Sequence, residues 1–188
     1  SWPTFLMLKP DLRHAENCFA GTASGTIIYP PIKKISFPKV TRIPNYCFAY
    51  TKALEEAYLP NVTRIDTNAF SNSSLPVADF PLVTSLSTAN GGFESSQITT
   101  ASFPSATGGT SIGTFKNCQS LNSVNIPLVS SLTQETFANC TLLSQIDLPQ
   151  VGTIGSKVFA GCSQLTTIIL RRTDKVCSLS VSNALDNT

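Results

Sequence analysis

Phenylalanine recurs along this chain at a nearly constant interval. From the second member of the series onward, the spacings are 22, 23, 22, 22 and 22 residues. A fixed period of about 20–30 residues is typical of a solenoid, in which each repeat forms one coil stacked on the last. Such a fold presents its function on an extended surface rather than in a pocket. The series is Phe19, Phe48, Phe70, Phe93, Phe115, Phe137 and Phe159.

A proline series keeps the same interval and divides each coil. Before each proline, apolar and polar residues alternate, which indicates a half-buried strand. Proline ends the strand because it has no N–H to donate. A second extended piece of the form Val-x-x-Ile follows, and a turn leads to the phenylalanine. We expect the apolar residues to face inward and the phenylalanines to form an internal spine rather than a row that stacks on carbohydrate. The series is Pro38, Pro60, Pro81, Pro104, Pro127 and Pro149.

One coil, Phe137-Ala-Asn-Cys140-Thr-Leu-Leu143-Ser-Gln-Ile146-Asp-Leu148-Pro149, resembles the leucine-rich repeat of the BspA-like, or Treponema pallidum, type. The resemblance covers Ile35 to Leu170. It implies a right-handed leucine-rich-repeat solenoid of the α/β-horseshoe class, with about six to seven coils of 21–23 residues. Short parallel strands, turns and short helical or 3-10 pieces would build each coil. Residues 1–34 would form an irregular N-terminal cap, residues 35–170 the solenoid, and residues 171–188 an incomplete closing segment.

Charge and hydropathy exclude two classes of partner. Charged residues make up 13% of the chain and the formal net charge is +2, so no clustered basic face for nucleic acid is expected. No apolar run reaches the ~18–20 residues that a membrane-spanning helix needs. We therefore expect neither nucleic-acid binding nor membrane insertion by this segment.

Three cysteines, Cys118, Cys140 and Cys162, share one position of the repeat. Stacked coils would bring them within reach of disulfide formation. Other coils carry Ser or Thr there, so we favour small, buried free thiols. Cys18 and Cys47 share another position and could pair. No metal site is expected, because there is no Cys-x-x-Cys motif and only one histidine.

The sequence contains no recognisable catalytic constellation. His14 is the sole histidine and is not accompanied by a nucleophile-elbow motif. The glycine-rich stretch from Gly108 to Gly113 lacks the Gly-Lys-Ser/Thr ending of a phosphate loop. A solenoid enzyme would need charged residues clustered on one face, and residues 80–134 contain only Glu94 and Lys116. We therefore expect a protein that is not an enzyme and binds no cofactor.

Alternation along the strands predicts an outward-facing row, which we call the strand face. Extended sheet faces commonly bind partners in repeat proteins. A merely solvated surface is the competing interpretation. The candidate binding residues are Ser36, Glu56, Tyr58, Asp79, Ser102, Asn125 and Asp147.

A second candidate site comes from two places where the repeat is longer than usual. The step from proline to phenylalanine is ten residues in most coils, but twelve from Pro81 to Phe93 and eleven from Pro104 to Phe115. The extra residues predict two loops at the same corner of adjacent coils, and such loops sometimes carry binding. The alternative is that the fold tolerates these extra residues and they bind nothing. The candidate loop residues are Asn90, Gly91, Gly92, Gly108 and Gly109.

These features lead to one functional expectation and an alternative. The family resemblance implies an extracellular or cell-surface bacterial protein that binds a protein or glycan on a host or neighbouring cell, in some members as an adhesin. The alternative is a structural spacer or fibre segment in a surface or phage-tail assembly.

Overall fold

The computed structural model describes Phe19 and residues 32–171 of the chain. Each coil carries one three-residue strand, which in every coil but the last ends two residues before its proline. These strands form parallel ladders on one side of the stack, β1 with β3, β5 with β7 and β9, and β11 with β13. Their bounds are β1 (Lys34–Ser36), β3 (Glu56–Tyr58), β5 (Val77–Asp79), β7 (Thr100–Ser102), β9 (Ser123–Asn125), β11 (Gln145–Asp147) and β13 (Thr167–Ile169).

A second parallel ladder lies after the prolines, where the Val-x-x-Ile pattern predicted a further extended piece. Here β2 pairs with β4, and β6, β8, β10 and β12 form one sheet. The described residues therefore form a parallel β-solenoid of about six turns, as the repeat predicted. The bounds are β2 (Arg42–Ile43), β4 (Arg64–Ile65), β6 (Ser85–Leu86), β8 (Thr107–Thr110), β10 (Val129–Leu132) and β12 (Thr153–Ile154).

The phenylalanine series forms the spine of the core. Consecutive rings stack with centroids 5.3–5.9 Å apart and planes 3–19° from parallel. Every ring from Phe48 to Phe137 is fully buried, and Phe159 is 2% exposed. The prediction of an internal spine is therefore confirmed. Phe19 stacks on Phe48 at 5.4 Å and continues the spine to the N-terminal side despite its irregular spacing in the sequence.

Each phenylalanine of the spine from Phe48 to Phe159 lies at a corner with an unusual backbone. The residues two before and two after it have positive φ, as at Tyr46 and Tyr50 around Phe48. Between these two residues the chain cannot continue a right-handed helix. The corners are turns, and the described residues contain no helix, so none that could cross a membrane. The expectation of short helical or 3-10 pieces is wrong for this reason.

In this corner conformation, backbone N–H groups point in turn toward the next coil and back into their own turn. The Phe48 N–H donates to Ala69 O in the next coil at 2.8 Å, and the N–H groups of Tyr46 and Tyr50 donate to the next corner as well. The intervening N–H of Cys47 donates back within its own turn, to Pro44 O. The same arrangement recurs from coil to coil, so each corner is bonded both internally and to its neighbour.

Hydroxyl side chains tie the coils together at their edges. Thr63 Oγ1 donates to the backbone carbonyl of Thr41 at 3.1 Å, and Thr99 Oγ1 donates to that of Pro76 at 3.0 Å. In each case the acceptor lies at the equivalent position of the preceding coil. Thr107, Ser130, Thr141 and Thr166 make the same kind of bond. Many Ser and Thr residues of this weakly charged chain therefore satisfy backbone carbonyls.

The first ladder is interrupted between β9 and β11 and, earlier, between β3 and β5, where Pro76 lies. In the preceding coil, the equivalent residue Glu55 donates its N–H to Lys33 O at 2.7 Å. Proline has no N–H, so this bond cannot form at the next junction. The ladder accordingly stops at β3 and restarts at β5.

Removing one ring from the spine should destabilise the fold strongly. Phe115→Ala leaves a cavity between two stacked neighbours and should cost about 3–5 kcal/mol of unfolding free energy. Phe115→Leu keeps most of the volume and should cost less. Urea denaturation followed by far-ultraviolet circular dichroism measures both. A cost below about 1 kcal/mol for Phe115→Ala would contradict the packing role of the spine.

The corner conformation can be tested at Gly113, whose φ is 60°. A Cβ there meets only ordinary contacts, the nearest at 3.5 Å, so the penalty for Gly113→Ala should come from the backbone alone and amount to about 1–2 kcal/mol. Gly113→Asn should cost less, because Asn68 occupies the equivalent corner position at φ 53°. Equal melting temperatures for the two variants would count against this explanation.

Candidate functional site

The strand face has the composition and register that the sequence predicted. Lys34, Ile35 and Ser36 pair with Glu56, Ala57 and Tyr58, and the same phase recurs in the later ladders. The central residues Ile35, Ala78, Ala101 and Ile146 are buried, whereas the candidate binding residues on either side are exposed or half-buried. The seven candidates therefore lie on one side of the stack. Whether they bind a partner stays a prediction.

Several of these candidate residues already form ion pairs or hydrogen bonds with neighbouring side chains. Glu56 forms an ion pair with Lys34 at 2.8 Å. Asn125 Nδ2 lies 3.4 Å from Ser102 Oγ. Asp147 Oδ2 accepts from Arg171 at 2.7 Å, while its Oδ1 is buried and has no hydrogen-bond partner among residues 32–171.

Tyr58 and Asp79 are the candidates most available to a ligand. The Tyr58 side chain is exposed, at 60%, and Asp79 is exposed without an ion pair to any described residue. They occupy equivalent positions of successive coils, on the two sides of the interruption at Pro76. Val77, also exposed, lies on the same strand as Asp79. The strand face thus offers an aromatic ring on one coil, and a carboxylate and an apolar side chain on the next.

The second candidate site is not the pair of loops that the spacing predicted. Gly108 and Gly109 lie within strand β8, between Thr107, which pairs with Ser85, and Thr110, which pairs with Leu86. The additional length is absorbed as a β-bulge inside the ladder. Gly109 has little room for a side chain, because a Cβ would lie 2.7 Å from Ser131 Oγ.

The other extra residues lie elsewhere in the coil. The chain turns at Ser87 and Thr88 immediately after β6, and Thr88 Oγ1 donates to Ile65 O at 2.7 Å. Gly91 and Gly92 are buried in the corner of Phe93, and only Asn90 of that group is exposed. The two insertions therefore do not form one shared surface.

Cys118 and Cys140 are buried free thiols, as the sequence favoured, and Cys162 is a free thiol that is only partly buried. Each Sγ lies close to the backbone carbonyl of the phenylalanine one coil earlier. Cys118 donates to Phe93 O at 3.0 Å, Cys140 to Phe115 O at 3.2 Å and Cys162 to Phe137 O at 3.1 Å. The thiols act as small hydrogen-bond donors between coils. Cys18, Cys177 and His14 lie outside the described residues.

Burial makes these thiols poor nucleophiles. Desolvation raises the pKa of Cys118 to about 12, and a hydrogen bond from Ser96 only partly opposes it. Desolvation also raises the pKa of the less buried Cys162, to about 11, and that of Cys140 well above its ordinary value. Because the thiolate is the reactive form, this position is unsuited to covalent catalysis. Among the residues with described structure, no group of three His, Cys, Asp or Glu side chains could hold a metal ion.

Iodoacetamide labelling of the native protein tests this protection. At pH 8, Cys118 and Cys140 should remain unmodified while the same residues label readily in urea, where their pKa returns to its ordinary range. As the pH is raised, Cys162 should label before Cys118, because its pKa is lower. Peptide mass spectrometry gives the modified fraction at each position. Labelling of native Cys118 as fast as the unfolded chain would show that it is not buried.

One family model matches most of the chain. The chain matches the model of the BspA type leucine rich repeat region in six copies, over residues 15–127 and 87–183. No curated protein matches it. A leucine-rich repeat protein from Bacteroides ovatus ATCC 8483 is 27% identical with a TM-score of 0.48, and the match covers 73% of this chain and 42% of that one.

A leucine rich cell surface protein from Faecalibacterium prausnitzii A2-165 is 17% identical with a TM-score of 0.31, over 84% of this chain and 63% of that one. The chain thus spans less than two thirds of either solved structure. The repeat match covers most of the chain, and the stacked corners, paired strands and buried thiols recur at its period. The chain belongs to the BspA-type leucine-rich repeat family.

Proposed function

We propose that this chain is a non-enzymatic module of an extracellular or cell-surface protein, and that it binds a protein or glycan through its strand face. The observation that carries the proposal is the exposed Tyr58 and, at the equivalent position of the next coil, the exposed carboxylate of Asp79, which forms no ion pair with a described residue. Tyrosine presents a large apolar surface with a polar tip and is enriched where proteins bind partners. The proposed partner lies on a host or neighbouring cell.

The rigidity of the stack supports such a role. Binding loses less entropy when the contacting residues are held in place before the partner arrives. On the strand face the residues lie on short strands in hydrogen-bonded ladders, and the spine beneath them is fully buried from Phe48 to Phe137. Adhesion to a surface is one use of such a module.

A structural spacer is the second candidate, and the hydrogen bonds between coils favour it. Thr63, Thr99 and Thr166 donate their hydroxyls to the coil before them rather than offering them to a ligand. A surface whose polar groups are already satisfied suits a rod that separates other domains, as in a surface or phage-tail fibre.

A triple variant of the strand face separates these candidates. Tyr58→Ala, Asp79→Ala and Asn125→Ala together should lower the affinity for a partner found on an array of glycans and matrix proteins by at least about tenfold, since a few central residues carry most binding energy. Surface plasmon resonance measures the change. The matched control is Lys52→Ala, Gln97→Ala and Gln119→Ala, three exposed side chains that each follow a phenylalanine by four residues.

The control should bind like the natural protein. Equal affinities for the strand-face variant and the natural protein would place the binding site elsewhere. The absence of any bound partner on the array would favour the spacer.

A further inference from the structure

The second ladder carries a cluster of charges that the strand face does not include. Arg42 on β2 and Arg64 on β4 are register partners on adjacent parallel strands. Arg42 Nε lies 2.5 Å from Asp66 Oδ2, and Arg64 Nε lies 2.6 Å from Asp66 Oδ1. One carboxylate thus accepts from two guanidinium groups, one on each oxygen. We call these three residues the arginine triad.

The triad is asymmetric in its exposure. The Asp66 side chain is 3% exposed, whereas those of Arg42 and Arg64 are 41% and 53% exposed. The negative charge therefore lies inside and the two positive charges lie at the surface. One carboxylate balances only one of the two guanidinium charges, so the triad presents a net positive charge to solvent.

Most N–H donors of the two arginines make no hydrogen bond to the part of the chain that the structure describes. A guanidinium group has five N–H donors in a fixed planar fork. Each Nε is engaged by Asp66, and no Nη of either arginine donates to a residue of the described ranges. Asp66 also fixes the side chains from below, so less entropy is lost when a ligand binds. Paired forks of this kind match the geometry of an oxyanion.

The surroundings of the triad are polar. In the next coil, Ser85 and Ser87 stand at the positions of Arg64 and Asp66, and their Oγ atoms lie 2.9 Å apart at the surface. Tyr46 is 40% exposed, and its N–H donates to Thr67 O, next to Asp66 in the chain. Hydroxyls, one exposed ring and two cations suit a sugar. A protein partner would favour a larger apolar centre at this point.

We propose that the arginine triad binds the carboxylate of a uronic acid in an acidic polysaccharide. The guanidinium groups of Arg42 and Arg64 would donate their Nη hydrogens to the carboxylate oxygens, while Ser85 and Ser87 contact sugar hydroxyls. This site lies on the second ladder, so it goes beyond the binding proposed for the strand face. The two can fail independently, because different residues and different probes test them.

Isothermal titration calorimetry with polygalacturonate tests the site on the whole chain. In the variant Arg42→Gln, Arg64→Gln and Asp66→Asn, no buried charge is left without a partner, and the net charge falls by one. Its affinity should drop at least tenfold. Lys39→Gln removes the same net charge from an exposed side chain of the same region and should stay within twofold of the natural protein.

A second variant keeps the test valid if the triple variant fails to fold. Arg42→Lys with Arg64→Lys retains both charges and a partner for Asp66 but replaces the planar forks with ammonium groups. It should bind polygalacturonate at least fivefold more weakly. Circular dichroism melting checks that each variant is folded.

Three results would overturn the proposal. The first is natural protein that does not bind polygalacturonate, or binds neutral dextran equally well. The second is an equal loss of affinity in Lys39→Gln and in the triad variants, which would show a general charge effect. The third is preference for dextran sulfate, or for polyglutamate as an acidic peptide, which would assign the triad to a sulfate group or to a protein.

Discussion

The registered stacking of one phenylalanine per coil is the constraint on which the rest of this structure depends. The rings are buried and nearly parallel, and the corner around each one donates hydrogen bonds to the next corner. Because the rings and the corner hydrogen bonds repeat with the same period, a shift of one coil along its neighbour would disrupt both the ring stacking and the hydrogen bonds. The strands on the two ladders inherit their register from this spine, and with it the alternation that decides which side chains reach solvent.

The period made much of the fold predictable from sequence. Proline positions gave the ends of the first strands, and alternation gave the outward row, including Tyr58 and Asp79, in the observed register. The corners were harder to predict, because positive φ is adopted there by residues as different as Tyr46, Glu135 and Lys157. Asn or Gly, the residues that adopt positive φ most readily, occupies seven of the twelve such positions from Tyr46 to Gly161, so residue type marks only part of the series. The surrounding hydrogen bonds impose the conformation.

The two candidate sites away from the strand face were also hard to predict from sequence. The extra residues near Gly108 indicated a loop, but the ladder on both sides kept them in strand β8 as a bulge. The arginine triad was not recognised, because Arg42 and Arg64 are 22 residues apart and read as ordinary surface charges. Asp66 stands two residues after Arg64, and only the fold shows that it is buried between them. A search for charges repeated at the period of the spine could have found the pair.

The hydrogen bonds that the repeated cysteines donate between coils have a consequence for how such chains lengthen. Each cysteine finds its acceptor in the phenylalanine carbonyl of the coil before it, so a coil carries everything it needs to dock on a copy of itself. Duplicating one 22-residue unit, such as residues 118–139, would therefore create a new junction equivalent to the old ones. Inserting a single residue shifts the register between coils, and the ladder must then absorb it as a bulge. Gene duplication in whole units is thus the path of least disruption for this architecture, and array length can vary while the coil stays constant.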